Sequence, residues 1–252
     1  MRSQVRVLVV MLFVAPLFAW APRIPAALSQ METFQVSAVE VRGVRVLTED
    51  SVVARMQLGS FASVWGDRDV WTERVMAHPM VRTAEVRRRL PNGLRVTIEE
   101  REPVALAATP TLEAVDAEGH RLPIDPTRYR LDLPVISASR IPPAGSLLFP
   151  EEVRALAAEV EHLTAAHDDF MRRVSTVEWM SEGVLVAHLI SPNVSFILPS
   201  RIPGDRLREG EAALSHAMAR EQGRVPEVID LRFAEQVVVR RRGAHSATAR
   251  GR

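Results

Sequence analysis

The spacing of apolar residues changes character along this chain, and each change marks a different element. From residue 7 to 21 the run VLVVMLFVAPLFAWA has no polar face, which suits a bilayer or an export leader and not a surface helix. In FQVSAVEVRG, Phe34 and Val36 share one parity while Val39 and Val41 share the other. That pattern predicts a strand with a bulge or change of face near Ala38, closed by Gly43. TEDSVVARMQLG then shifts to helical spacing, with Thr48 as N-cap, acidic residues in the first turn, Val52 and Met56 four apart, and Gly59 as the stop. DRDVWTERVMAHP repeats the grammar: Asp67 caps, Trp71 and Val75 share a face, and Pro79 ends the helix.

The segment RRRLPNGLRVTIEEREPVA, residues 87–105, alternates with period two on either side of Asn92-Gly93 and predicts a hairpin turning at that dipeptide. Leu94, Val96 and Ile98 point to one side, and Arg95, Thr97 and Glu99 to the other. Successive strand residues face opposite ways, so Arg87, Arg88 and Arg89 cannot form one basic face. Arg87, Arg89 and Arg95 are instead expected opposite Glu85, Glu99 or Glu100 as cross-strand partners. With no aromatics interleaved, a solvated hairpin is preferred over a nucleic-acid or lipid patch.

Beyond Pro103 the pattern predicts a hairpin around Glu118-Gly119 and a Pro-rich loop. A helix follows whose stripe is Val153, Leu156, Val160 and Leu163. VSTVEWM, GVLVAHLI and VSFILP read as consecutive antiparallel strands, followed by a helix carrying Leu207, Leu214 and Met218 and ending at Gly223. In the last unit, EVIDLRFAEQVVVRRR, Ile229, Leu231 and Phe233 are expected on one face, Asp230 and Arg232 on the other. The fold class is α+β.

Charge is nearly balanced over the 252 residues, with 32 Lys+Arg against 31 Asp+Glu, so no global field favours nucleic acid. There is no cysteine, which excludes disulfides and thiolate chemistry. Arg2 and Arg6 hold the amino end in the cytoplasm, and the chain after the apolar run is exported. Two readings of that run stay open. Ala19-Trp20-Ala21 suits a cleavable leader, whereas Pro22 in the first mature position favours an uncleaved signal anchor. No nucleophile elbow, phosphate loop, dinucleotide turn or zinc-protease motif occurs. His162 and His167 are five apart with no third ligand nearby, and Glu99, Glu100 and Glu102 have no cleft around them. Neither catalysis, metal, cofactor nor small-molecule substrate is expected.

Together, VSAVEVRG, HPMVRTAEVRRRLPNGLRVTIEEREPVA and VIDLRF resemble the FtsQ family of bacterial division proteins, called DivIB in some lineages. The family pattern is an apolar strand ending in V-x-G, then P-x-V-x-x-A-x-V-x-R-x-x-P-x-x-L, then an E-R-x-P-V-A exit. The resemblance implies an N-terminal transmembrane helix, a POTRA domain of order β-α-α-β-β, and a mixed-sheet β domain with helices on one face. The expected boundaries are a cytoplasmic tail at 1–6, the anchor at 7–27, a linker at 28–33, the POTRA domain at 34–102, the β domain at 103–240 and a basic tail at 241–252. It further implies a non-enzymatic scaffold in the cytoplasmic (inner) membrane at the division septum, with most of the chain periplasmic. FtsB-like and FtsL-like partners would join through strand addition at an open edge of the last sheet and so influence septal peptidoglycan synthesis. The POTRA domain would contact other division proteins. DLRF matches the family's D-x-R-aromatic element, which makes Arg232 and Phe233 candidate partner contacts and Val237, Val238 and Val239 the candidate edge strand. The competing reading puts Phe233 in the core and makes Arg232 a structural ion-pair partner. An alternative function is an exported POTRA module that assembles outer-membrane proteins, although the chain carries neither POTRA repeats nor a barrel pattern. Pro199 stands where family members often carry Gly, and the cytoplasmic tail is short.

Overall fold

The computed structural model describes residues 28–137, 146–220 and 222–241. The expected cytoplasmic tail and anchor at 1–27, and the basic tail beyond Arg241, lie outside the described residues. Among the described residues no helix is long and apolar enough to cross a membrane. The chain divides after Arg101 into two compact units.

In the first unit a short 3-10 turn, Glu32–Phe34, leads to β1 (Ala38–Arg42), α1 (Glu49–Met56), α2 (Arg68–Met76), β2 (Val81–Arg89) and β3 (Gly93–Glu100). β3 lies centrally, parallel to β1 and antiparallel to β2. The alternation of β3 is realised: Leu94, Val96 and Ile98 are buried against Val52, Met56, Trp71 and Val75 from the helices. Each such side chain contributes about 1.5–3 kcal/mol relative to leaving it in water. Both caps form: Thr48 Oγ1 accepts the Ser51 N–H at 3.2 Å, and Asp67 Oδ1 accepts those of Asp69 and Val70. Gly43 has φ +88°, and a Cβ there would lie 2.0 Å from the Ile98 carbonyl oxygen, so this close crossing of β3 requires glycine.

Several local expectations are corrected. β1 starts only at Ala38, because Phe34 turns into a 3-10 helix and packs edge-on against Trp65, with ring centroids 5.9 Å apart. Helix α1 ends one residue past Met56 at Gln57, which is left-handed at φ 52°, and not at Gly59. The hairpin turns through Leu90-Pro91-Asn92, because Gly93 is already a ladder residue, paired with Arg89 on one side and Ala38 on the other.

The second unit runs β4 (Ala105–Ala108), β5 (Leu112–Val115), β6 (Arg121–Leu122), α3 (Pro126–Tyr129), β7 (Val135–Ser137), α4 (Glu151–Ala166), α5 (Asp168–Met171), β8 (Val174–Ser181), β9 (Val184–Leu189), β10 (Ser195–Pro199), α6 (Gly204–Arg220), β11 (Val228–Asp230) and β12 (Val238–Arg240). Its nine strands form one mixed sheet in the order β12-β11-β10-β9-β8-β7-β4-β5-β6. Strand register sets Ala107, Ile136, Val177, Ala187, Phe196, Ile229 and Val239 in one transverse row. That row shares a core with Val153, Leu156, Val160 and Leu163 of α4 and Leu207 and Leu214 of α6, so both helices cover the same face. Glu159 of α4 is buried, but its carboxylate accepts the Arg201 backbone N–H and pairs with the Arg201 guanidinium, which offsets its desolvation.

Candidate partner-docking edge

The two ends of the nine-stranded sheet are not equivalent. At β6, Arg121 donates its N–H to the Leu147 carbonyl at 2.8 Å, and His120 bridges to Leu148, so the segment after residue 145 runs along that rim. At the other end β12 pairs with β11 alone, in the register Val228↔Arg240, Ile229↔Val239 and Asp230↔Val238. Among the described residues no strand lies on the outer side of β12. A free rim of this kind presents main-chain donors and acceptors to an extended segment.

Local chemistry fixes where that rim sits. β11 continues the parallel ladder one residue past its end, because Leu231 donates its N–H to the Ile197 carbonyl at 2.9 Å. Ile229 and Leu231 are sunk in the core. Asp230, on the opposite parity, is also fully buried. Its carboxylate accepts Arg232 Nε at 2.9 Å and Nη2 at 2.7 Å, the Arg232 backbone N–H at 3.2 Å, and Arg240 Nη2 at 3.2 Å. One buried anion thus ties β11, the following loop and β12 together. Burial alone pushes the Asp230 carboxyl up. The Arg232 hydrogen bonds, then the charges of Arg232 and Arg240, outweigh it and hold the group below its usual value. From α6, the largely buried Arg206 side chain donates to the carbonyls of Phe233 and Gln236, fastening the β11–β12 loop from beneath.

These contacts correct the expected facing of the last strand. Phe233 does not join Ile229 and Leu231, because β11 ends at Asp230 and the chain leaves the sheet. Its ring is 50% exposed, with the Arg232 guanidinium 5.7 Å from the centroid. Asp230 does not face solvent, since Arg232, expected on its side, and Arg240 fold over it. Arg232 therefore has a structural ion-pair role, which its 34% exposed side chain leaves compatible with the expected partner contact, and Phe233 is not a core residue. Val238 and Val239 lie within β12, with Val237 just before it, and Val237 and Val239 pack onto the core while Val238 sits opposite Asp230.

In the first unit the arginine triplet is dispersed. Arg87 pairs with Glu85 of its own strand at 2.7 Å. Arg89 and Arg95 both converge on Glu40 of β1, at 2.8 and 3.0 Å, where Arg42 also sits. Hydrogen bonds from Arg42, then Arg95, hold the Glu40 carboxyl below its ordinary value. Arg88 turns inward, donating to the Val64 and Gly66 carbonyls with its guanidinium 5.3 Å from the Trp65 ring centre. Glu100 turns its carboxylate elsewhere than to Arg87, Arg89 or Arg95: it is buried and accepts the N–H groups of Arg45, Val46 and Leu47. Glu99 faces Arg82 and Thr83.

Two polar groupings escaped the sequence reading. Ligand-type atoms of Asp116, Glu118 and His120 lie within 4.8 Å of one another at the β5–β6 turn, where Asp116 Oδ1 accepts the His120 N–H at 2.6 Å. Their alternate spacing on a hairpin was the available signal. Across β8, β9 and β10, His188 Nδ1 meets Ser195 Oγ at 2.8 Å and Nε2 meets Glu178 Oε1 at 3.3 Å. The histidine and glutamate are substantially exposed on the face opposite the helices, so this is a cross-strand polar row in water, without the closed environment nucleophilic chemistry requires.

A family model described as the FtsQ-type POTRA domain matches residues 34–101. The chain is 28% identical over 227 residues to the cell division protein FtsQ of Rhodothermus marinus, covering 86% of this chain and 81% of that protein. It is 27% identical over 215 residues to FtsQ of Geotalea daltonii, covering 82% and 76%. With FtsQ of Myxococcus fulvus it shares 32% identity over 111 residues, 41% of this chain and 37% of that one.

Proposed function

We propose, from the premise that this chain belongs to the FtsQ/DivIB family of cell division proteins, that it is a non-enzymatic, single-pass scaffold of the division machinery which lends the outer rim of β12 to a partner. The observation that carries the proposal is the asymmetry of the second sheet: one rim is covered by its own chain, and the other is unfilled among the described residues, beside an exposed Phe233. An extended segment of an FtsB-like protein, itself paired with an FtsL-like one, adds as a further strand. Main-chain hydrogen bonds supply affinity, and side chains around Phe233 and Val237 to Val239 supply selection. Arg232 acts by bracing the loop, through Asp230, that presents Phe233. Through this complex the chain influences septal peptidoglycan synthesis without transforming a substrate or holding a cofactor. Residues 1–6 form the cytoplasmic tail, 7–27 the anchor in the inner membrane, 28–33 the linker, 34–102 the POTRA domain that contacts other division proteins, 103–240 the docking domain in the periplasm and 241–252 a solvated basic tail. That the relatives are all division proteins favours this reading over outer-membrane assembly.

The test is capture of an FtsB-like partner by Val238→Pro and Phe233→Glu variants whose circular dichroism matches the parent. Proline removes an N–H and cannot serve in a paired strand, and Phe233→Glu places a charge in the contact. Each is expected to weaken binding by about tenfold or more, the size of losing one or two well-made contacts. Undiminished binding in both variants would remove the mechanism.

A further inference from the structure

The first unit carries a second surface, at the end where the chain enters it. Val36 donates its N–H to the Ala62 carbonyl at 2.8 Å, and Ser37 donates to the Asn92 carbonyl at 2.9 Å. The α1–α2 loop and the β2–β3 turn therefore flank the first residues after the linker. Arg88 locks the two loops together through the Val64 and Gly66 carbonyls. At their tips stand Phe61, 81% exposed, and Leu90, 58% exposed, the two most exposed large aliphatic or aromatic side chains among the described residues of the first unit. Met31, one turn before Phe34, is half exposed as well. Neither tip carries charge: residues 57–66 read QLGSFASVWG and residues 90–94 read LPNGL. Behind Leu90, Arg87 and Arg89 are engaged in ion pairs with Glu85 and Glu40.

Apolar side chains at the ends of uncharged loops match the chemistry of a bilayer interface, where Phe and Leu enter the headgroup–acyl boundary. Residues 22–34, several of them in turns, are all that separates the apolar run ending at Ala21 from Gln35, which tethers this end of the unit close to the bilayer. We propose that Phe61 and Leu90 dock the first unit onto the outer surface of the membrane that holds the anchor. The docking rests on the anchor reading of residues 7–27. It restrains the POTRA domain at the bilayer and leaves the outer edge of β2 to protein partners.

The chain has no cysteine, so single replacements can be labelled without background. Full-length F61C, L90C and, as a control on exposed β2, E85C are labelled with an environment-sensitive NBD dye. They are reconstituted alone into phosphatidylethanolamine–phosphatidylglycerol vesicles, and vesicle-bound protein is isolated by flotation. Blue-shifted emission at positions 61 and 90, with roughly twofold greater quenching by shallow spin-labelled lipid than at 85, is the expected result. Equal behaviour at the three positions in floated protein overturns the docking while leaving the anchor intact. Protein that fails to float shows that the anchor reading itself has failed, and the docking falls with it. A shift that appears only when a second division protein is added assigns the surface to protein contact and overturns the proposal.

Discussion

The Asp230 carboxylate adds side-chain ties to the β11–β12 backbone ladder, and its chemistry sets a sign for the pH dependence. Its folded value lies below the ordinary 3.8, so its stabilisation is present above that value and is lost as pH falls through the lower folded one. Asp230→Asn leaves two guanidiniums facing a neutral amide at a buried position. We expect a loss of about 1–3 kcal/mol near neutral pH, the usual worth of hydrogen bonds to charged groups. The difference from the parent should shrink as pH falls below 3.8, first as the unfolded chain's carboxyl takes up its proton and then, at lower pH, as the folded one does. Urea unfolding of both proteins at several pH values measures this; a gap that stays constant with pH would mean the charge is not what stabilises the site. Glu100 does comparable work in the first unit with backbone partners, three N–H groups of residues 45–47, and so fixes the turn that leads from β1 into α1.

At the scale of elements, α6 must lie close to the sheet to hold the β11–β12 loop through Arg206, and Gly210 permits that approach. A Cβ at Gly210 would lie 2.7 Å from Leu231 Cδ1 and 3.2 Å from Phe196 Cε1, both on fully buried side chains. Alanine gains about 1 kcal/mol of helix propensity. Overpacking costs about 1–3 kcal/mol, and because the nearest contact is too short for a buried leucine to yield freely, it prevails. Gly210→Ala should lower the urea midpoint; a raised midpoint would show that the helix stands further off. The elements most legible in the sequence were those whose causes are local. Thr48 and Asp67 cap within three residues, Val52 and Met56 repeat within one turn, and β3 alternates strictly. What could not be read came from distance: Glu40 meets Arg89 and Arg95 from 49 and 55 positions away. The surroundings of Asp230 likewise include Arg240, ten residues on, whereas alternation alone placed it only on the face opposite Ile229 and Leu231. The open rim was expected from family likeness, whereas periodicity by itself says nothing of strand order.

For the whole molecule, the partition after Arg101 makes a separable prediction. The first unit has its own core of Val41, Val52, Met56, Val75, Val86, Val96 and neighbours, in a fragment within the size range that folds unaided. Residues 28–101 expressed alone should unfold in one cooperative transition, observed by circular dichroism; a gradual loss of signal would show that the unit depends on the remainder. The second unit's covered rim has a different consequence. Polymer growth through edge pairing requires two sticky ends, one to receive and one to pass the addition along. Here the segment following residue 145 already occupies the far end, so a strand added at β12 would find no second open edge on this sheet, among the described residues, to pass the addition along.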